Sequence, residues 1–361
     1  ILYMKKGRKI VKRDTTIDLL KGIGITSIVI GHVRSYLPGG FPIVAYVYTY
    51  HIMVFLFVAG MCFKPQNNIS PFMQIGKRLG GLLPLYVIYS AFFVASQNVL
   101  RSAQILSNDS SKYGKREIVQ NILNSLTFGN SERLLGAFWF VPMFFVAVSF
   151  FIIIFYKMEQ MKKPIWGHTI VIIVCSIVGI VLNYKEIYLN YRIQTSILGI
   201  SIIYLGYFYK RHCMKCEKYL KWWYAPILGV MIWGILSLKI GMIELSVNQI
   251  MHPALFYPVT VIGILFCLCL AEGIKKVRPI CKMFTTIGKN SYHIMALHFL
   301  AFKCVDLVAV RIFKDGNDVL EKFTVSYEGL WYIYYIAGIA IPIIIIYTLK
   351  YIRNKLSKLK V

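Results

Sequence analysis

Acidic residues are scarce in this chain: 15 Asp and Glu face 41 Lys and Arg across 361 residues, leaving a net charge of +26. Long polar stretches are missing as well, so no segment is large enough to fold as a second soluble domain. No long-period repeat and no low-complexity tract interrupts the pattern. The eight cysteines are scattered, and only His212-Cys213-Met214-Lys215-Cys216 has ligand-like spacing. A structural zinc site takes four ligands, and no second pair accompanies this one. Reduced cysteines in a basic loop, and no metal, are therefore expected. No small-residue cleavage site follows the first apolar run, which is expected to act as an uncleaved targeting span. The basic excess by itself would suit nucleic acid, but its distribution excludes that partner. Lys and Arg come in short clusters between long apolar runs, as the positive-inside rule requires of membrane proteins.

What is present is hydrophobic: 57% of residues are apolar and 15% aromatic, with a mean hydropathy of +0.61. A soluble protein of this length would carry far more charge. The fold class is accordingly all-α, a polytopic protein whose partner is the lipid bilayer. A crossing needs about 20 apolar residues, which places ten spans at roughly 17–36, 43–63, 80–100, 136–156, 165–184, 190–209, 222–240, 252–272, 287–310 and 328–349. The cluster Lys5, Lys6, Arg8, Lys9, Lys12 and Arg13 puts the N-terminus in the cytoplasm, and ten crossings return the C-terminus to the same side. Residues 1–361 read as one integral-membrane domain. The segment Ser102 to Arg133, with a turn at Asn108-Asp109-Ser110-Ser111, is the one outer loop large enough to help hold a substrate.

The stretch Asp18 to His32 stands apart. Asp18 and Lys21 open an apolar helix that closes on His32. At 100° per residue, Lys21 and His32 lie about 20° apart around the axis and Asp18 about 60° from Lys21, so the three share one stripe. Ionisable groups in a membrane-length helix usually face a bundle interior or a wet cavity. Gly22 and Gly24 allow a close neighbour there.

Four short stretches rise above generic membrane sequence: Asp18-Leu-Leu-Lys-Gly-Ile-Gly ending in Gly31-His32; Tyr50-His51-Ile-Met-Val-Phe-Leu-Phe-Val-Ala-Gly60; Phe138-Trp139-Phe140-Val141-Pro142; and Ile287-Gly288-Lys289-Asn290-Ser291-Tyr292 running to Leu297-His298. In this order and spacing they resemble acyltransferase family 3, integral-membrane enzymes that acylate glycans, and most closely its fucose 4-O-acetylase-like branch. The family's first span has Arg, ten residues, then His; here Lys21 replaces the Arg, with a point charge in place of a bidentate fork. Val54 stands where the branch usually has Pro-Leu. The resemblance implies a bacterial cytoplasmic-membrane O-acetyltransferase that moves an acetyl group from cytoplasmic acetyl-CoA to a hydroxyl of a cell-surface or lipid-linked glycan.

Acetyl transfer to a hydroxyl needs a base, or a nucleophile that takes the acetyl group first, and neutral His serves either role near pH 7. His32, Asp18 and Lys21 are the expected catalytic set. Lys77 and Arg78 are the expected contacts for the coenzyme A phosphates, while His51, Trp139 and His298 are expected to bind substrate. About 16 Å separates Lys21 from His32 along the helix, comparable to an extended pantetheine arm. Lys303 and Asp306, three apart in the ninth span, are expected to pair. A transporter or flippase for a lipid-linked sugar is the alternative; it would show repeated halves with broken helices at matched positions, which this sequence lacks.

Overall fold

The structure, a computed structural model, describes residues 14–33, 42–66, 68–106, 112–129, 132–213 and 219–358. The basic cluster Lys5 to Arg13, the Asn108–Ser111 turn and Met214-Lys215-Cys216 lie outside the described residues. Within them the chain is helical, without a β-strand.

Helix α1 (Thr15–Val33) is the axis of the bundle. Its lower half, Leu19, Leu20 and Ile23, packs into one apolar core with Val54, Phe57, Phe151 and Ile203. Its upper half, Ile25, Ile28, Val29 and Val33, packs into a second core with Phe93, Phe138, Phe302 and Tyr334. Burial on all sides is the expected state of a helix that is apolar all round.

The second predicted span is two helices, α2 (Ile43–Tyr48) and α3 (His51–Met61). At the break the Thr49 hydroxyl donates to the Tyr46 carbonyl at 2.7 Å, an alternative to the helical ladder, and His51 comes to the first turn of α3. Helix α4 (Pro71–Ser102) starts earlier than expected, because Ser70 accepts from the Met73 amide at 3.2 Å and Pro71 sits in the first turn. A short outer helix, α5 (Lys115–Ser125), follows. The fourth span opens as a 3₁₀ turn, Arg133–Trp139, and continues as α6 (Phe140–Glu159). Next come α7 (Pro164–Tyr184), α8 (Ile193–Phe208) with a π turn at Tyr209–Cys213, α9 (Tyr224–Ser237) and α10 (Pro253–Lys276). The expected ninth span divides at Asn290 into α11 (Arg278–Lys289) and α12 (Ser291–Phe313), and α13 (Trp331–Lys358) closes the chain.

Over their described residues, all ten predicted spans are therefore mainly helical. Eight segments among the described residues are long and apolar enough to cross a membrane; α8, with 16 residues, and α9, with 14, are shorter. This is an all-α polytopic membrane protein.

Helices α3 and α8 meet backbone to backbone. A Cβ on Gly60 would strike the Ile203 carbonyl and come within 2.7 Å of the Tyr207 nitrogen, and a Cβ on Gly206 would strike the Phe57 carbonyl. Small residues at such crossings replace the hydrophobic drive that lipid does not supply. Gly60→Leu is therefore expected to prevent assembly, since overpacking against backbone costs at least about 1–3 kcal/mol. Gly234→Leu, where nothing lies within 4 Å, should leave the protein monodisperse in size-exclusion chromatography. Equal profiles for the two variants would contradict this packing.

Candidate active site

At the end of α1 away from its first turn, His32 lines a cleft of roughly 790 Å³ including its open mouth. His51, Trp139, Phe299, Glu244 and Thr324 line it with His32. Four of the sequence-predicted residues meet here: His32, His51 and Trp139 on the wall, and His298 directly behind His32.

The two histidines form a relay. His32 Nδ1 lies 2.9 Å from His298 Nε2, and the rings are parallel to within 9° at 5.0 Å. His298 Nδ1 lies 3.0 Å from the Ile294 carbonyl, an i−4 contact along α12. A carbonyl only accepts, so His298 carries its proton on Nδ1. In the neutral pair its Nε2 must accept, and His32 donates from Nδ1, which puts the basic lone pair of His32 on Nε2. His298 is fully buried, so the relay is shielded on its far side. Phe299 packs on His32 at 4.8 Å. Thr324 donates its hydroxyl to the His32 carbonyl.

His51 obeys the same rule. Its Nδ1 is 3.1 Å from the Val47 carbonyl, which leaves Nε2 as an acceptor, and the ring packs on Tyr48 at 4.4 Å. Trp139 carries the Arg192 guanidinium 5.7 Å above its ring, a geometry that fixes the indole plane.

Asp18 and Lys21 are elsewhere. They pair at 3.7 Å at the opposite end of α1. There Asp18 lines a groove with Lys275, Arg278, Lys282 and Lys289. The shared stripe holds as an angle, but the helix length keeps its two ends in different cavities. Lys77 and Arg78 line a third cavity, about 690 Å³, between α4 and α6. That cavity shares Leu82 and Phe144 with an apolar one of about 540 Å³ walled by Ile25, Phe55 and Tyr292. The apolar cavity in turn shares Phe140 and Met295 with the His32 cleft. The three adjoin in a line from Arg78 to His32.

The outer wall of the cleft was not legible in the sequence. Phe323 and Thr324, with Glu244 and Ser246, supply it among the described residues. Glu244 had a signal, being one of few acids and on the outer side. Thr324 had none. Its segment is held by Lys303, which reaches Asp306 at 3.0 Å, the Leu320 carbonyl at 2.8 Å and the Lys322 carbonyl. Asp306 also accepts from the Ser326 amide at 3.1 Å and the Tyr334 hydroxyl at 2.5 Å. The expected Lys303–Asp306 pair is present, and it anchors the loop that closes the cleft.

Comparison with known proteins gives one match. Residues 14–349 match the family described as an acyltransferase domain, acyltransferase family 3. No curated protein and no solved structure matches. The match runs through both the His32 cleft and the Arg78 cavity, and on it the chain belongs to acyltransferase family 3, a family of membrane acyltransferases.

Proposed function

We propose that this acyltransferase is an O-acetyltransferase of the bacterial cytoplasmic membrane, using acetyl-CoA as donor and a glycan or lipid-linked sugar as acceptor. The observation that carries the reading is the His32–His298 relay on the wall of an open cleft. It holds an imidazole with its basic nitrogen fixed as Nε2, and it accommodates the imidazolium that forms when that nitrogen takes a proton. The role parallels that of an orienting group behind a catalytic histidine.

In the reaction, His32 Nε2 accepts the proton of the sugar hydroxyl as its oxygen attacks the thioester carbonyl carbon. The C–S bond breaks, and the coenzyme A thiolate leaves with the proton returned from His32. Donor and acceptor enter from opposite ends. The three adjoining cavities support entry of the donor from a cytoplasmic Arg78 end, with its phosphates near Lys77 and Arg78 and its apolar arm past Phe144 and Tyr292. The outer cleft supports a sugar, with Trp139 against an apolar sugar face and His51 Nε2 accepting from a hydroxyl. A glycan acceptor also accords with the resemblance to the fucose 4-O-acetylase-like branch. Asp18 and Lys21 have no contact with the reacting groups on this reading.

Arg78→Gln should raise the KM for acetyl-CoA about tenfold or more with kcat little changed, as expected for a lost charge-assisted phosphate contact. The effect should shrink at high ionic strength. A KM that does not move would place the donor phosphates elsewhere. The function itself is tested by supplying inverted membrane vesicles with acetyl-labelled acetyl-CoA. Alkali-labile label in the carbohydrate fraction is expected, and label confined to protein or to free acetate would contradict the proposal.

A further inference from the structure

The groove at the start of α1 is not used by the acyl-transfer reading. It is enclosed by the first turn of α1, the last turn of α10 and one face of α11. On α11, Arg278, Lys282, Thr285 and Lys289 recur at steps of four, three and four, a single helical stripe, and all four line the groove. Lys275, Thr15, Asp18 and Cys281 complete it. The acids nearby already have partners: Asp18 faces Lys21 at 3.7 Å and Glu272 pairs with Lys275. Among the described residues, Arg278, Lys282 and Lys289 belong to no ion pair.

The groove is also preformed. A Cβ on Gly288 would strike the Asp18 carbonyl, and a Cβ on Gly22 would strike the Phe284 carbonyl, so α11 lies backbone to backbone on α1. The side of α11 away from the stripe exposes Ile280 and Met283, and Val277 is exposed at its N-cap. Helix α11 joins two membrane-length helices, α10 and α12. A helix basic on one side and apolar on the other, between two membrane-length helices, has the pattern of one that lies in the bilayer surface.

We propose that this groove binds a phosphate ester at the membrane surface, held by Arg278, Lys282 and Lys289 with the Thr15 and Thr285 hydroxyls. Arg supplies a bidentate fork for phosphate and the lysines point charges. Two sources carry this chemistry. One is the headgroup of an anionic phospholipid. The other is a phosphate of the nucleotide end of the acyl donor, and this source alone rests on the acetyl-CoA reading.

The test uses the full chain, purified in detergent, and reads binding rather than turnover. Phosphatidylglycerol retention is followed by native mass spectrometry, with phosphatidylcholine as the uncharged control, and adenosine 3′,5′-bisphosphate binding by calorimetry. The double variant Arg278→Gln/Lys282→Gln should lose about tenfold or more in affinity for one of the two probes, while Arg278→Lys/Lys282→Arg keeps most of it. Loss confined to phosphatidylglycerol identifies the lipid source, and loss confined to the bisphosphate identifies the nucleotide source. Unchanged affinity for both probes in a correctly folded double variant overturns the proposal. His32→Gln should bind both probes like the wild type, so failure of the catalytic reading and failure of this site give different results.

Discussion

His32→Gln is expected to abolish acetyl transfer while leaving the protein folded and able to bind acetyl-CoA. Glutamine keeps approximate size and hydrogen bonding but cannot take up a proton at the position of Nε2. Loss of a general base costs on the order of 10²–10⁴ in rate. His298→Gln should fall less far, because on the proposed mechanism His298 positions and polarises His32 without touching substrate. Its signature should be a shifted pH–rate profile, since the partner that accepts from the His32 imidazolium has changed, with the KM for donor and acceptor nearly constant. A His32→Gln variant that keeps most of its transfer rate would make the imidazole structural and remove the base assignment.

The second large effect is on assembly. Asp306→Ala should destabilise the protein by roughly 3–5 kcal/mol, the usual consequence of leaving one half of a buried ion pair. Lys303 would keep only the Leu320 and Lys322 carbonyls, and the Ser326 amide and Tyr334 hydroxyl would lose their acceptor. Lys303→Met/Asp306→Leu should recover much of that stability, because it removes both charges. It should not recover activity, because Phe323 and Thr324 would no longer be held against the His32 cleft. Thermal unfolding in detergent separates the cases. An Asp306→Ala protein as stable as the wild type would show that the pair carries no such burden.

Much of the fold was legible because its signals are local. Apolar runs of membrane length marked ten spans, each of which falls on helix, and the small residues in α1 marked where neighbours come close. The candidate site was half legible. His32, His51, Trp139 and His298 were all identifiable as chemistry-bearing residues, yet the contact between His32 and His298 spans 266 positions. Helical spacing along one segment has no information about which other helix lies alongside. The same limit explains Asp18 and Lys21: a helical wheel aligned them with His32 in angle while the rise of the helix separated them in depth. Helix α11 was missed as an element because twelve residues rich in charge read as a loop by hydropathy, although the stripe Arg278, Lys282, Thr285, Lys289 has helical period. The loop that walls the cleft was illegible because its position depends on Lys303 and Asp306, buried inside α12, as well as on its own hydroxyls.

The account rests on one claim, that His32 drives acetyl transfer to a sugar hydroxyl. Mass spectrometry of envelope glycans from cells expressing either the wild-type chain or His32→Gln at equal levels tests it most directly. The account predicts a carbohydrate heavier by one alkali-labile acetyl group in the wild-type cells, and its absence in the His32→Gln cells. The same acetylated carbohydrate in both, or in neither, would contradict it.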